Sequence, residues 1–590
     1  MPDTSTDLVT YRILADGTEI SDAFVVESLE VYKGVNRIST AFIHIHDGSP
    51  SDEDFPISDS ATFLPGTAIT LQAGYHTEDT TIFQGIIVKH GIEVREGQAP
   101  MLVLECRDTA VKMTVGRKSQ VFADSTDSAA ISQIIGTYGL STAVDSTSTT
   151  HASLVQYYCS DWDFIVARAE TNGLVVLSEQ GKLTVTKPDP SATAALTLTY
   201  GDALFSFALQ LDASSQYKSV TSQGWDYKNQ QMLEATAATP SATGPGNVTS
   251  ATLAAVVSPD AYTLQTSAAL DQPSLQSWAN ALQLKSVLAK VRGTVKFPGT
   301  ALVKPGSVVE LKGLGARFNG AAYVSEVTHL IADGNWTTEV GLGLDEQWFT
   351  ERNPDLNNTP AGIVPGVQGL YNAIVTKIDS DPDNQFRVQV TVPIMQNKTL
   401  WARLGLPYAS SGNGLYTFPE VSDEVILGFF NNDPQFPVIL GSLYSSGRAP
   451  GYTPDEKNAT KAWTTPNKLT IEFDDEKKVI TIKTPGNNQL IISDDAKGIT
   501  LSDQNNNKIE LSSSGILLQS AGSIQLKAQT DVQAEASTGN VALKATQKLS
   551  LQGLEVEGTA QTQLKMSGAA SAELSASGQT TVRGAMVMIN

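Results

Sequence analysis

The chain has 590 residues, about four domains' worth of material, with 40 Lys and Arg against 62 Asp and Glu and a formal charge of -22. That balance argues against nucleic acid as a partner, because phosphate binding needs clustered Lys and Arg, and 41% hydrophobic residues rule out general disorder. No apolar run reaches the ~18 residues of a membrane span, the opening MPDTSTDLVTYRILADG lacks an apolar signal core, and Cys106 and Cys159 form no CxxC, so a soluble chain with reduced thiols, made in the cytoplasm, is expected. Aromatics make up 7%, yet none follows Phe473.

From Leu8 to about Val115, short alternating runs such as Phe42, His44 and His46 are broken by Gly, Pro and Asp and predict strands joined by turns. The text DSTDSAAISQIIGTYGL, 124–140, changes period: Ile131, Ile134 and Ile135 share a helical face, and Gly139 is a stop signal. Asp161 to Asn172 predicts a second helix, with Asp161 as N-cap, Phe164, Ile165 and Ala167 inward, and Gly173 at its end. Residues 235–255, rich in Ala, Thr, Ser, Gly and Pro, are expected as an exposed loop or linker. An amphipathic helix begins near Pro273 and presents Leu275, Trp278 and Leu282.

Pro65-Gly66-Thr67-Ala68-Ile69-Thr70-Leu71 is echoed by Pro305-Gly306-Ser307-Val308-Val309-Glu310-Leu311. A Phe-x-Gly step follows each, Phe83-Gln84-Gly85 and Phe318-Asn319-Gly320. A Pro-Gly turn feeding an alternating strand sets a hairpin register, so both copies are expected to build the same small barrel. After the Pro/Gly-rich NTPAGIVPGVQG, Arg387, Gln389 and Thr391 alternate with Val388, Val390 and Val392. With the strands at Val421–Phe430 and Pro437–Leu443, that block fits a small closed barrel such as an OB-fold.

Beyond Leu469 the text differs in kind. Short β pairs recur about every ten residues to Ile509, separated by DDEKK, GNN, DDAK and QNNN. Repeats then start at Ile509, Ile516, Ile524, Val532, Val541, Leu549, Val556, Leu564, Ala572, Thr580 and Met588, seven to nine residues apart. A period of eight is too short for one coil of a single-chain β-helix, and each repeat brings too few apolar side chains to enclose a core. Three chains wound about one axis solve this, each supplying one wall of a triangular prism too narrow for an aromatic ring. Every strand edge is then covered by another chain.

These residues resemble the VgrG-type spike proteins of contractile injection systems, relatives of contractile phage hubs and spikes. Gln156-Tyr-Tyr-Cys-Ser-Asp161-Trp162-Asp163-Phe164, running into Ala169-Glu170-Thr-Asn-Gly173, resembles the hub signature. Phe418-Pro419-Glu-Val-Ser-Asp423-Glu424-Val425-Ile-Leu-Gly428-Phe429, then Asp433-Pro434-Gln-Phe-Pro437-Val-Ile-Leu-Gly441-Ser-Leu-Tyr444, resembles the spike OB signature. Ser422 departs from it, standing where the family often has Gly. The compact length and the stretch from Leu469 most resemble spikes of extracellular phage-tail-like particles, with the type VI or phage baseplate form as the alternative.

The resemblance implies a mainly β multidomain chain: hub barrel 1 over 1–120, an α+β hub insertion over 121–200, hub barrel 2 with a helix over 201–358, an OB-fold over 366–448 and a trimeric β-helix needle over 449–590. It implies a homotrimer whose paired barrels make six around the axis, meeting the inner tube and baseplate proteins. It also implies a PAAR-like tip protein, effector cargo, and assembly in a bacterial cytoplasm into a particle that is released. The apolar end Met586-Val587-Met588-Ile589-Asn590 is the expected docking point for the tip protein.

No chemistry is expected of the chain. GxSxG, HExxH, Walker A and CxxC sequences are absent, and 448–468 is too short for an inserted lysozyme. His44 and His46 share a strand face without a third ligand nearby, and no histidine follows His329, where some spikes hold iron near the tip. Asp423 and Glu424 are neighbours that point to opposite faces, and Cys106 reads as a buried small hydrophobe. No catalytic residue, cofactor or metal is expected. The rivals are a trimeric tailspike adhesin and a polysaccharide-degrading enzyme.

Overall fold

Strict alternation of side chains builds the first strands. In Thr40–His46, Ala41, Ile43 and Ile45 are fully buried while the residues between them stay half-exposed, the period of a pleated strand with one face in a core. The computed structural model describes residues 8–202, 204–226, 229–240, 244–257, 260–266, 270–353 and 365–589. They divide into two units, Met1–Leu443 and Tyr444–Asn590.

The first unit opens with β1 (Val9–Ala15), β2 (Val26–Gly34), β3 (Thr40–His46), β4 (Ala68–Tyr75), β5 (Glu78–Glu93) and β6 (Met101–Arg107). They lie side by side in the order β1-β4-β5-β6-β3-β2. An α+β segment follows, with β7 (Lys118–Thr126), α1 (Asp127–Gly136), β8 (Ser141–Val144), β9 (Thr150–Cys159), α2 (Asp161–Thr171), β10 (Val175–Glu179) and β11 (Lys182–Thr186). Then come β12 (Leu196–Thr199), β13 (Ser206–Leu211), β14 (Val220–Asp226), β15 (Gln231–Thr236), α3 (Ser250–Val257), β16 (Tyr262–Thr266) and α4 (Gln272–Leu288). The hub closes with β17 (Val291–Pro298), β18 (Val308–Lys312), β19 (Gly320–Ala332), β20 (Asn335–Leu342) and the short α5 (Phe349–Arg352).

The duplication is real in the hydrogen bonds. The second set is ordered β12-β18-β19-β20-β17-β13, the order of the first set with the same succession along the chain. Gly66 and Thr67 bond to Ile87 through N–H to O at 2.8 Å and O to N–H at 3.0 Å; Gly306 and Ser307 bond to Val324 in the same way at 2.8 and 2.9 Å. Both glycines have positive φ, 104° and 87°, a conformation a side chain resists. Each copy then carries a β-bulge at the same place, between Ile87 and Lys89 in β5 and between Val324 and Glu326 in β19. One strand departs: β1 runs antiparallel to β4, whereas β12 runs parallel to β18.

The Phe-x-Gly echo is displaced. Gly85 stands opposite Ile69, but Gly320 stands opposite Leu311, the counterpart of Leu71, which faces Phe83. The two copies are joined edge to edge: β19 pairs antiparallel with β2 from Glu326↔Gly34 to Ala332↔Ser28, giving one sheet of thirteen strands, the twelve named and the two-residue strand Thr18–Glu19 beside β1. Ile331 and Trp336 of the second copy therefore share the first copy's core with Leu29, Ile43 and Phe83.

Three local expectations need correction. The N-cap of α2 is Ser160, whose Oγ accepts from the Asp163 N–H at 3.1 Å; Asp161 is the first helical residue and its carboxylate turns elsewhere. Val166 and Ala169 are fully buried on that helix, with Ala167 only half-buried. The 235–255 stretch is not one loop, since it ends in α3, whose buried residues are Leu253 and Ala254. So short an apolar face leaves no periodicity to read.

Five strands, β21 (Tyr371–Lys377), β22 (Val388–Val392), β23 (Lys398–Leu404), β24 (Glu424–Phe429) and β25 (Pro437–Ser442), close a barrel in the order β21-β22-β23-β25-β24. Its interior is Val375, Val388, Val390, Val392, Ala402, Val425, Leu427 and Ile439.

In the second unit, β26 (Thr460–Thr464), β27 (Thr470–Asp474), β28 (Val479–Lys483), β29 (Gln489–Ser493), β30 (Gly498–Ser502), β31 (Lys508–Ser512) and β32 (Gly515–Gln519) form an antiparallel meander in chain order. Its turns place Lys478, Lys497 and Asn506 at positive φ. Among the described residues after Gln519 there is no strand pairing. The chain there carries bends at 521–522, 529–530, 537–539, 546–547, 554, 561–562, 569–570, 577–578 and 585. A corner comes about every eight residues.

Candidate functional site

The hub signature is a structural knot. Asp161, 3% exposed, accepts from Lys118 Nζ at 2.6 Å, Tyr138 Oη at 2.7 Å and Gln156 Nε2 at 2.8 Å. Burial raises its pKa, yet those three donors outweigh burial and hold the carboxyl below the ordinary range. Trp162 is 5% exposed, and Phe164 stacks on Phe122 with centroids 5.9 Å apart. Gly173, with φ of 71°, turns the chain out of α2.

Glu170, within the same signature, ties together elements that lie far apart in the chain. It accepts from Asn36 Nδ2 at 3.1 Å, Lys285 Nζ at 3.0 Å and the Phe349 N–H at 2.6 Å. The turn after β2, α4 and α5 thus meet on one carboxylate of α2. Asp127 does the same nearby, taking a bidentate pair from Arg168 at 2.6 and 3.0 Å and bonds with His151 and Asn172. Burial raises the Asp127 pKa, and Arg168, Asn172 and His151 together more than reverse it, leaving the carboxyl below its ordinary range.

A cavity of about 240 Å³ opens beside Glu170, lined by Asn36, Lys285, Arg292, Asp345 and Arg352 among others. Its charges are paired: Arg292 lies 3.5 Å from Asp345 and 3.3 Å from Glu346. Such a lining holds elements together and presents no base poised beside a nucleophile. His44 bonds Ser28 Oγ at 3.0 Å and His46 bonds Glu27 at 2.7 Å. Among the described residues, no group of three or more His, Cys, Asp or Glu could hold a metal ion. Cys106 is fully buried, and burial pushes its thiol up to about 12.

The OB signature sets turns. Ser422, at φ 77°, donates its N–H to Val375 O at 2.7 Å, which explains why glycine suits that position. Asp423 accepts from the Glu420 N–H at 2.9 Å, while Glu424 accepts from Asn372 at 2.5 Å, so the two acids serve different partners. Asp433 accepts from the Gln435 N–H at 2.9 Å, Pro434 is half-buried behind it, and Pro419 and Pro437 are buried. Gly428 and Gly441 lie on β24 and β25, where this chain's own atoms leave room for a Cβ.

The meander carries the feature that a single chain cannot satisfy. Most of its apolar side chains form two cross-strand rows on one face, with Val479, Ile491 and Leu517 on the other. One runs Trp463, Ile471, Ile482, Leu490, Leu501, Ile509, Leu518; the other runs Phe473, Ile480, Ile492, Ile499, Leu511, Ile516. Ile492 is 39% exposed and Leu501 49%, while Thr470 and Ser493 on the other face are buried. This inverts the usual dressing of a one-sided sheet. Twelve exposed apolar residues, with Leu490 half-buried among them, mark an association surface. The octad positions Leu549, Val556 and Leu564 are likewise exposed, as are Met586, Val587, Met588 and Ile589. Asn590 lies outside the described residues.

The closed OB barrel and the meander with its apolar face bare are the two parts that family models of injector and baseplate proteins match. Residues 371–444 match the type VI secretion system/phage-baseplate injector OB domain, and 479–590 the phage baseplate V C-terminal trimerisation domain. Residues 5–333, more than half of the chain, match the Alg8 N-terminal domain, and the chain belongs to that family. The OB and trimerisation matches support a VgrG/phage-baseplate spike-type hub, and the trimerisation domain supports a trimer.

The type VI secretion system spike protein VgrG3 of Vibrio cholerae is 35% identical over 85 residues, 13% of this chain and 8% of that protein. The actin cross-linking toxin VgrG1 of Vibrio cholerae is 35% identical over 66 residues, 11% of this chain and 6% of that protein. Among solved structures, a tail protein of Neisseria meningitidis is 15% identical, with a TM-score of 0.43 over 58% of this chain and 98% of that one. A type VI secretion component of E. coli is 12% identical, with a TM-score of 0.37 over 73% and 100%.

Asp161, Trp162 and Phe164 lie in the first turn of α2 and Gly173 just past its end, and the OB residues lie on β24, β25 and the turns around them. Lys285, Asn36 and Phe349 were not singled out from the sequence, because nothing local marks residues that meet across 115 to 179 positions.

Proposed function

We propose that the chain is the homotrimeric central spike of a contractile injection particle. Its hub meets the inner tube and baseplate, and sheath contraction drives the needle through the target envelope. The work is mechanical, and no catalytic step belongs to this chain. The observation that carries the reading is the bare two-row apolar face of the meander, continued by octads that, among the described residues, form no strand pairing in their own chain. Three copies facing one another bury both rows about a common axis and leave the acidic surface outside.

Size-exclusion chromatography with light scattering tests the trimer: a particle of three chains is expected, and a stable monomer at 62.7 kDa overturns it. Met586 to Asn590 are proposed to seat a PAAR-like cone that carries effectors. Deleting them should abolish its co-purification with the particle, and unchanged binding counts against the docking role. Clear lysis in peptidoglycan zymography would sink the non-enzymatic reading. A membrane-anchored type VI spike is the second reading, favoured by the stretch shared with VgrG3; release of intact particles into the medium separates it from a free one.

A further inference from the structure

The octads carry a second pattern, in charge. The whole chain has a formal charge of -22, yet the residues after 520 hold five Lys and Arg against five Asp and Glu. All ten are exposed, and among the described residues no ion pair joins any of them within the chain.

Their positions are in phase. Bends begin at 529, 537, 546, 561, 569 and 577, each five residues past the first residue of its repeat at 524, 532, 541, 556, 564 and 572. The long and short steps therefore alter corners and leave the straight segments aligned. Ile524, Leu526 and Ala528 alternate with Gln525 and Lys527, so when the apolar set faces a core, Lys527 faces out. Glu535 and Lys544 stand at the same outward position, three past their starts, while Glu557, Lys565 and Glu573 share the other, one past theirs.

The geometry of a prism decides what these charges meet. One octad spans one of three walls, so a chain returns to a wall only with its fourth octad. The two strand positions between are filled by the other two chains, and three-fold symmetry fixes their octads. A wall reads octad n of one chain, n+1 of the next and n+2 of the third. Neighbouring strands run parallel ~4.8 Å apart, so equal offsets stand side by side, always on different chains. Lys527 then meets Glu535, Glu535 meets Lys544, Glu557 meets Lys565 and Lys565 meets Glu573. Every adjacency joins opposite signs, and like signs stand two strands apart. Unlike charges facing each other across strands attract, and like ones destabilise.

We propose that these six side chains build two interchain ion-pair ladders on each wall of the needle, Lys527–Glu535–Lys544 and Glu557–Lys565–Glu573, with each successive rung from a different chain. The partner is a second copy of this chain, set one octad along. The inference rests on the trimer reading and adds the order in which three chains share a wall.

Lys565→Cys with Glu573→Cys puts cysteines on adjacent strands of different chains, ~4.8 Å apart and within disulfide reach. Glu557→Cys with Glu573→Cys puts them two strands apart, ~10 Å, and out of reach. Both carry Cys159→Ser, and Cys106 is buried and stays. In a particle of trimer mass, mild oxidation should give a covalent trimer from the first pair and none from the second. No bands from the first pair, or bands from the second, overturn the octad order and the ladders and leave the trimer standing. A monomer by mass overturns both. Charge exchange tests the attraction itself. Lys565→Glu stacks three glutamates on each wall, so at low salt the needle should melt several degrees below the parent, a gap that high salt narrows. Glu557→Lys, Lys565→Glu and Glu573→Lys together restore alternation with the signs exchanged and should recover the parent's melting. A single variant that melts with the parent, or a triple variant no better than the single, overturns the ladders even where the cysteines close.

Discussion

Replacing Glu170 with Ala removes the acceptor for Asn36 Nδ2, Lys285 Nζ and the Phe349 N–H together. The carboxylate is 5% exposed and the Lys285 side chain 11%, so the cation is left where water scarcely reaches. Taking one partner from a buried ion pair costs ~3–5 kcal/mol. Lys285 keeps the Gln347 carbonyl at 2.7 Å and the Trp348 ring at 5.0 Å, which puts the expected loss at the lower end, ~3 kcal/mol. At ~2–4 °C per kcal/mol, the hub transition in a calorimetric scan should fall by ~6–12 °C. Glu170→Ala combined with Lys285→Met should recover much of that, because an apolar replacement of a buried pair is often neutral. A single variant melting within ~2 °C of the parent, or a double variant no better than the single, refutes the unpaired cation as the cause.

Burial, with a smaller push from Lys33, lowers the His329 imidazole to about 3. The unfolded chain takes that proton near pH ~6.5, so it binds more protons than the fold between the two values, and stability falls as pH drops through that window. Relative to His329→Asn, the wild type should lose ~2–3 kcal/mol between pH 7.5 and pH 4.5 in urea titrations; parallel losses refute this. In the meander, Ile492→Lys or Leu501→Lys should leave the hub transition in place and abolish the trimer by light scattering, since three ammonium groups would share one apolar seam. A trimer that survives both substitutions refutes that seam.

What the sequence made legible was what repeats or alternates locally. Val388, Val390 and Val392 announced a barrel strand, the Pro65 and Pro305 turns announced a duplication, and the octads announced a partner. The β19–β2 junction was invisible because pairing between distant strands leaves no local mark. The Phe-x-Gly echo misled because it lies past the hairpin loop, whereas register is set from the Pro-Gly turn. Ser160 outcompeted Asp161 as N-cap because the carboxylate had Lys118, Tyr138 and Gln156 to satisfy. Glu170 stood in a quoted motif, but its weight came from partners supplied by other elements.

The corners from 521 to 585 have a further consequence. Text that repeats every eight residues can wind against its neighbours at the wrong stagger, one octad out, with nearly the same side chains facing inward. Two things break that degeneracy. The meander pairs within its own chain, so it can form first and present three chains in phase. The steps from Ile509 to Ile516 and from Leu549 to Val556 are seven residues and that from Val532 to Val541 is nine. These off-period steps act as a vernier: a strand one notch out of place meets them in the wrong order, and only one stagger fits from end to end.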